Sequence, residues 1–247
     1  MKPLALVTGA SSGIGRAIAI ELSKTCHLIA HGRNEARLHE TLNACAAGDH
    51  HCWLYDLEQV DGLQAAFEQF IRGSGLAVTY FVHCAGIVYM PAIKTFDLPM
   101  IRKIIDTNAI SAMLLTGSLL KRRIAGTTLK SIVFISSVTG YVGTRGKSLY
   151  GTSKGMLNAF VRASAVELAP KVRINSICPA AVRTPMDEEA FSDPAFAAAV
   201  DKRQPLGAGT PQDVANLVPF LLSDKARWIT GQQFIIDGGA LVNLTFK

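Results

Sequence analysis

A chain of 247 residues that is 49% hydrophobic and 18% charged carries enough apolar mass for a sizeable core and excludes a disordered chain. Its formal net charge of +6 is scattered, with one small cluster at Lys121, Arg122 and Arg123 and no stripe of cations interleaved with aromatics, so nucleic acid is excluded as a partner and anionic small molecules are favoured. Five cysteines (Cys26, Cys45, Cys52, Cys84, Cys178) without metal-ligand spacing read as reduced thiols of a cytoplasmic protein with no metal site, and no apolar run reaches the ~18 residues of a membrane span.

The first apolar run predicts a strand over 4–7, too short for a signal peptide. A helix is expected over 13–24, and the join reads LALVTGASSGIGRAIAIEL. Gly9, Gly13 and Gly15 suit a sharp turn whose backbone must approach a ligand closely. Ser11 and Ser12 add hydroxyl donors, and Ile14 lies in the first helical turn, whose free N–H groups and positive dipole end suit a pyrophosphate. In this strand-to-helix context the glycine trio points to a dinucleotide. The next strand, 27–31, ends in HLIAHGRN. An acidic group is expected there when the ligand is NAD. This chain has Gly32 and Arg33, followed by Asn34, and a guanidinium suits a 2′-phosphate. NADP is therefore expected over NAD. A helix over 34–46 and a strand over 52–55 follow, the latter ending beside Asp56 and Leu57, with Asp56 equally an adenine contact and a simple strand-end cap.

Further along, the alternation predicts helices over 59–71, 99–123, 150–168 and 211–222, and strands over 80–83, 131–136, 173–177 and 233–236. Several strands are apolar at nearly every position, as expected when helices cover both faces. The fold class is α/β, a single-domain, Rossmann-like, doubly wound parallel sheet of about seven strands. Residues 184–209, with three prolines and weak periodicity, read equally as a lid and as a loosely packed surface helix pair.

The stretch SSVTGYVGTRGKSLYGTSK, residues 136–154, leaves a buried-looking strand and ends with Tyr150 and Lys154 four apart on one helix face. A phenol ionises near 10, and a lysine ammonium at about 5 Å in an effective dielectric of ~20 contributes roughly 3 kcal/mol, or about two pKa units, toward general acid-base use. Ser136 and Ser137 end the strand, where a hydroxyl suits a substrate carbonyl oxygen. Residue pattern alone leaves Tyr141 against Tyr150, and Lys147 against Lys154, open.

The ordered set Thr8-Gly9-x-x-x-Gly13-x-Gly15, Asn108, Ser137, Tyr150 and Lys154, with Ser137 thirteen positions before Tyr150, resembles the short-chain dehydrogenase/reductase family. The resemblance runs along essentially the whole chain, through RINSICPAAVRTPM and ITGQQFIIDGG. It implies one domain over 1–247, with a substrate-covering segment around 186–207. It implies Tyr150 as proton donor or base, Lys154 as the cation that lowers its pKa and binds the nicotinamide ribose, and Ser137 as the substrate-oxygen ligand. It implies Asn108 as a helix-bending residue that anchors a relay water. Cys84, Ala85 and Gly86 would lie along the cofactor ribose, and Pro179, Val182 and Thr184 at the nicotinamide end. A homotetramer or dimer is also implied, with the tail ALVNLTF at a subunit contact.

Three departures stand out. His83-Cys84 replaces the family's usual Asn-Asn, with His83 expected as a hydrogen-bonding core residue. Ala180 stands where glycine is commoner. Ser12 stands where many NADP-using relatives carry a cation, leaving the 2′-phosphate to Arg33, with help from His31 or Asn34. The expected activity is reduction of a carbonyl, or oxidation of a secondary alcohol, on a small molecule. A 3-oxoacyl-carrier-protein reductase is one form, for which Lys121, Arg122, Arg123 and Lys171 would be a docking patch, although the plainer reading, which is favoured, is that these cations complement helix dipoles. The alternative is a regulatory NADP sensor without chemistry. Met186, Phe191 and Phe196 beside Asp187, Glu188 and Glu189 suggest a partly apolar substrate.

Overall fold

The computed structural model describes residues 2–121 and 128–243. Its strands are β1 (Leu4–Thr8), β2 (His27–Gly32), β3 (His50–Leu54), β4 (Tyr80–His83), β5 (Ser131–Ile135), β6 (Arg173–Pro179) and β7 (Gln233–Ile236). All pair in parallel, in the order β3-β2-β1-β4-β5-β6-β7. The order reverses between β1 and β4, and at such a switch the loops leave in opposite directions and open a crevice at the carboxyl ends of the strands.

The apolar character of the strands follows from burial on both faces. Along β1, Leu4 and Leu6 enter one core while Ala5 and Val7 enter the other. The first core is closed by α3 (Val60–Ser74), α5 (Ser111–Leu120) and α6 (Ser148–Leu168), through Leu63, Phe67, Leu115, Leu157 and Val161. The second is closed by α1 (Gly13–Ser23), α2 (Glu35–Asn43), α9 (Pro211–Ala215) and α10 (Val218–Leu222), through Ile18, Leu22, Leu38, Val214 and Leu221. Three further helices are α4 (Leu98–Ile105), α7 (Glu188–Ser192) and α8 (Pro194–Arg203).

Two expected helices are broken. The helix over 99–123 begins at Leu98, capped by Asp97, and is interrupted by a π-turn at Asp106–Ile110, where the Ser111 amide donates to the Asp106 carbonyl. The last residues of that span, with Arg122 and Arg123, lie outside the described residues, as does the end of the tail ALVNLTF from 244 onward. The helix over 211–222 divides into α9 and α10 because Pro219 has no N–H to continue the ladder. Residues 184–209 do form a helix pair, α7 and α8.

Candidate active site

A cavity of about 470 Å³ opens at the switch point and takes its lining from the carboxyl ends of β1, β2, β4, β5 and β6. Every residue named above for cofactor binding lines it, from Gly9 to Thr184, as do Ser137, Tyr150 and Lys154.

At one end lies the glycine loop. Gly9 has φ +70°, and a Cβ there would come within 2.8 Å of the Ala85 backbone; at Gly15 it would come within 2.1 Å of the Gly9 carbonyl oxygen. Side chains are thereby excluded where backbone packs on backbone. The N-cap of α1, Ser12, makes no side-chain capping bond, and its first turn holds no acid. Its amides face the cavity without a side-chain acceptor, which fits a phosphate. Thr8 holds the loop after β4: its Oγ1 accepts from the amides of Cys84 (3.1 Å) and Ala85 (3.2 Å) and lies 3.0 Å from His83 Nδ1. His83 is wholly buried, as its expected core role requires.

The adenine end differs from expectation in two places. His31 is only 2% exposed, it hydrogen-bonds the Tyr55 carbonyl at 3.1 Å, and burial holds its pKa down at about 4. It is neutral at pH 7 and is not a phosphate cation. Arg37, which residue pattern did not single out, lines the cavity with Arg33. It lies four residues on, in the first turn of α2, where Asn34 accepts its backbone N–H at 3.0 Å. That i, i+4 spacing was the available signal. Arg33 itself pairs with Asp56 at 3.5 Å. The pair is exposed and therefore weak, so it leaves the guanidinium available.

At the reacting end the members of each open pair lie apart. Tyr150 and Lys154 line the cavity, whereas Tyr141 points away and donates to Gln233 Oε1. Lys147 is the N-cap position of α6 and does not line it. Ser136 donates to the Lys154 carbonyl at 3.1 Å, a structural bond. Ser137 accepts from Thr139 through both its amide (3.2 Å) and its hydroxyl (2.9 Å), and its own O–H lies 3.5 Å from the Pro179 carbonyl and also faces the Tyr150 phenol. With its lone pairs engaged, Ser137 presents a donor. Lys154 is 4% exposed; its Nζ donates to the Ile135 carbonyl at 2.9 Å and stands 5.7 Å from the Tyr150 ring centre.

Electrostatics at this corner depart from expectation. Burial pushes the Tyr150 phenol above its usual range, the Asp187 carboxylate adds to the rise, and the Ser137 hydrogen bond opposes it. Burial draws Lys154 down to about 8. Desolvating the phenolate therefore outweighs the expected help from the ammonium.

Asn108 does not line the cavity. It stands behind it, fully buried within the π-turn, where its side chain accepts from the Ile87 amide (2.8 Å) and donates to the Ile87 carbonyl (2.9 Å) and Ser153 Oγ (3.0 Å). Among Met186, Phe191 and Phe196, only Met186 lines the cavity. The two phenylalanines meet edge to face at 5.2 Å, and the Arg183 guanidinium covers Phe191 at 4.5 Å.

A family model described as enoyl-(acyl carrier protein) reductase matches residues 9–240. A tropinone reductase homolog of Arabidopsis thaliana is 35% identical, covering 98% of this chain and 92% of its own. D-erythrulose reductase of Gallus gallus is 31% identical over 97% and 96% of the two chains. Among solved structures, 4-hydroxyisoleucine dehydrogenase complexed with NADH is similar with a TM-score of 0.90 at 30% identity, over 98% of this chain and 99% of that one. The chain belongs to the short-chain dehydrogenase/reductase family. It is an oxidoreductase of the alcohol/carbonyl class, and its relatives bind nicotinamide dinucleotides.

Proposed function

We propose that this protein is an NADP(H)-dependent reductase of a small carbonyl compound, with Tyr150 as the proton donor. The observation that carries the reading is the convergence of the Ser137 hydroxyl, the Tyr150 phenol and the Lys154 ammonium at one end of a cavity whose other end is the glycine loop. Gly9, Gly13, Gly15 and the first turn of α1 would hold the pyrophosphate, and Arg33 with Arg37 the 2′-phosphate. When bound, the dinucleotide supplies the hydride.

The chain's own residues orient the substrate and move the proton. Ser137, whose lone pairs are taken by Thr139, donates to the carbonyl oxygen and stabilises the charge that develops there. Tyr150 then delivers its O–H proton to that oxygen. A phenol held protonated by burial suits this acid role more than the reverse base role. Lys154, fixed on the Ile135 carbonyl, keeps a positive charge beside the phenolate that results. Asn108 holds the Ile87 backbone and so the floor of the ribose subsite. Pro185, Met186 and Asp187, which lead into α7, would cover the substrate.

The carrier-protein form of the activity has less support. Lys121 of the expected docking patch is engaged by Glu68 at 2.6 Å, and Arg122 and Arg123 lie outside the described residues. We place the protein in a reducing cytoplasm, which its five free thiols suit. We also propose a homo-oligomer, supported by Val166, 82% exposed on the outer face of α6; a monomer by light scattering would contradict it.

The test is NADPH oxidation against a panel of sugars, ketones, quinones, steroids and acyl thioesters, with NADH in parallel. Turnover of one class with NADPH preferred is expected. Equal use of NADH would remove the 2′-phosphate assignment, and no turnover with tight NADPH binding would favour a sensor.

A further inference from the structure

The proton-transfer set leaves one carboxylate at the reacting end unexplained. Asp187 lines the cavity together with Tyr150, Ser137 and Met186. Its Oδ2 accepts the Thr184 hydroxyl at 3.0 Å, and its amide donates to the Thr184 carbonyl at 3.0 Å, so its position is fixed from both ends. Among the described residues, no hydrogen bond reaches Oδ1 and no cation lies within 4.0 Å of the carboxylate. The neighbouring cation, Arg183, lies over the Phe191 ring instead, and Lys154 is held by Ile135. Helix capping does not account for Asp187 either. It precedes α7 as the N-cap residue, yet its side chain makes no capping bond.

A half-buried, unpaired carboxylate beside a reacting phenol discriminates by chemistry. A hydroxyl next to the substrate carbonyl satisfies the free Oδ1 with a charge-assisted bond. A bare alkyl neighbour leaves that acceptor desolvated and unpaired, and a carboxylate neighbour adds repulsion. Building on the reductase reading above, we infer that Asp187 is a specificity-determining residue that selects uncharged α-hydroxy carbonyl compounds, and the corresponding vicinal diols, over plain ketones and keto acids.

The test compares the full-length wild type with Asp187→Ala and Asp187→Asn, using NADPH and three ketones of similar size: hydroxyacetone, butanone and pyruvate. Ala removes the acceptor; Asn removes the charge and keeps an oxygen for Thr184. The kcat/KM ratio of hydroxyacetone to butanone is expected to favour hydroxyacetone in the wild type and to fall about tenfold or more in Asp187→Ala. The ratio of pyruvate to butanone is expected to rise in both variants. Dissociation constants for NADPH, read by quenching of tryptophan fluorescence, provide a readout independent of turnover. Equal losses on all three ketones together with weaker NADPH binding would assign Asp187 to the loop or the cofactor and overturn the inference; so would unaltered ratios. If the wild type reduces no carbonyl of the broader panel, the reductase reading falls and the inference falls with it, whereas wild-type turnover with unaltered ratios removes only the role of Asp187.

Discussion

Lys154 and Tyr150 share one corner of the cavity, and burial acts on them in opposite senses. It favours the neutral form of each, raising the phenol and drawing the lysine down to about 8. The pair therefore keeps its protonated, reductive arrangement below about pH 8 and loses the ammonium above it. Reductive kcat/KM with NADPH should be highest below that point and fall as pH rises through it. Alcohol oxidation, which needs the phenolate, should increase into the alkaline range. A pH profile of both directions checks this, and a reductive rate that climbed from pH 7 to 9 would contradict it. The residue types at this corner were legible from their order and spacing. Their ionisation was not, because the pull of a neighbouring charge is local while desolvation comes from the whole fold packed around them. Asp187 was legible only as one of three consecutive acids; that it alone turns into the cavity is a property of how the chain leaves β6.

Among the elements, the segment between β6 and α8 is held by its backbone bridge to Gly209 and by one buried polar side chain. Gln204 is 4% exposed; its Oε1 accepts the Ala181 amide at 2.9 Å, and its Nε2 donates to the carbonyls of Ala181 (3.2 Å) and Gly207 (2.9 Å). These bonds tie the end of α8 to the stretch that carries Val182, Thr184 and Asp187. Gln204→Ala leaves the Ala181 amide and the Gly207 carbonyl unpaired, while the Ala181 carbonyl keeps the Gly209 amide at 3.0 Å, and a loss of about 1–3 kcal/mol in unfolding free energy is expected. Substrate KM should rise more than NADPH Kd, because the glycine loop lies on other elements. Denaturant melts and steady-state kinetics check both; unaltered stability would show that the segment is held otherwise. The strands and most helices were readable from the alternation of short apolar runs with amphipathic ones. The π-turn was legible only as the helix bend at Asn108 that the family resemblance implies; periodicity alone did not show it, since it depends on Asn108 reaching Ile87 and Ser153 across the fold. The break before α10 was readable, because Pro219 announces it.

At the scale of the whole molecule, two buried histidines link stability to pH. Burial holds His31 at about 4 and His83 at about 3, against 6.5 for a free imidazole. Both folded values lie below the unfolded one, so the unfolded chain binds protons that the native state does not. Their contribution to stability is fully present above about 6.5 and is lost as pH falls toward 4 and 3, at up to about 1.4 kcal/mol per pH unit for each histidine. His83→Asn retains a partner for Thr8 and removes one of these groups. Its melting temperature should therefore drop less than that of the wild type between pH 6.5 and 4.5, and parallel curves would contradict the assignment.

The most direct test of the central claim is Tyr150→Phe, measured for NADPH binding and for turnover of the best carbonyl substrate together. The phenyl ring and the glycine loop remain, so the NADPH dissociation constant should change little. Loss of the O–H proton should lower kcat by roughly 10²–10⁴-fold. Binding retained with turnover lost is the predicted result; turnover retained in the variant would remove Tyr150 from the chemistry and contradict the account.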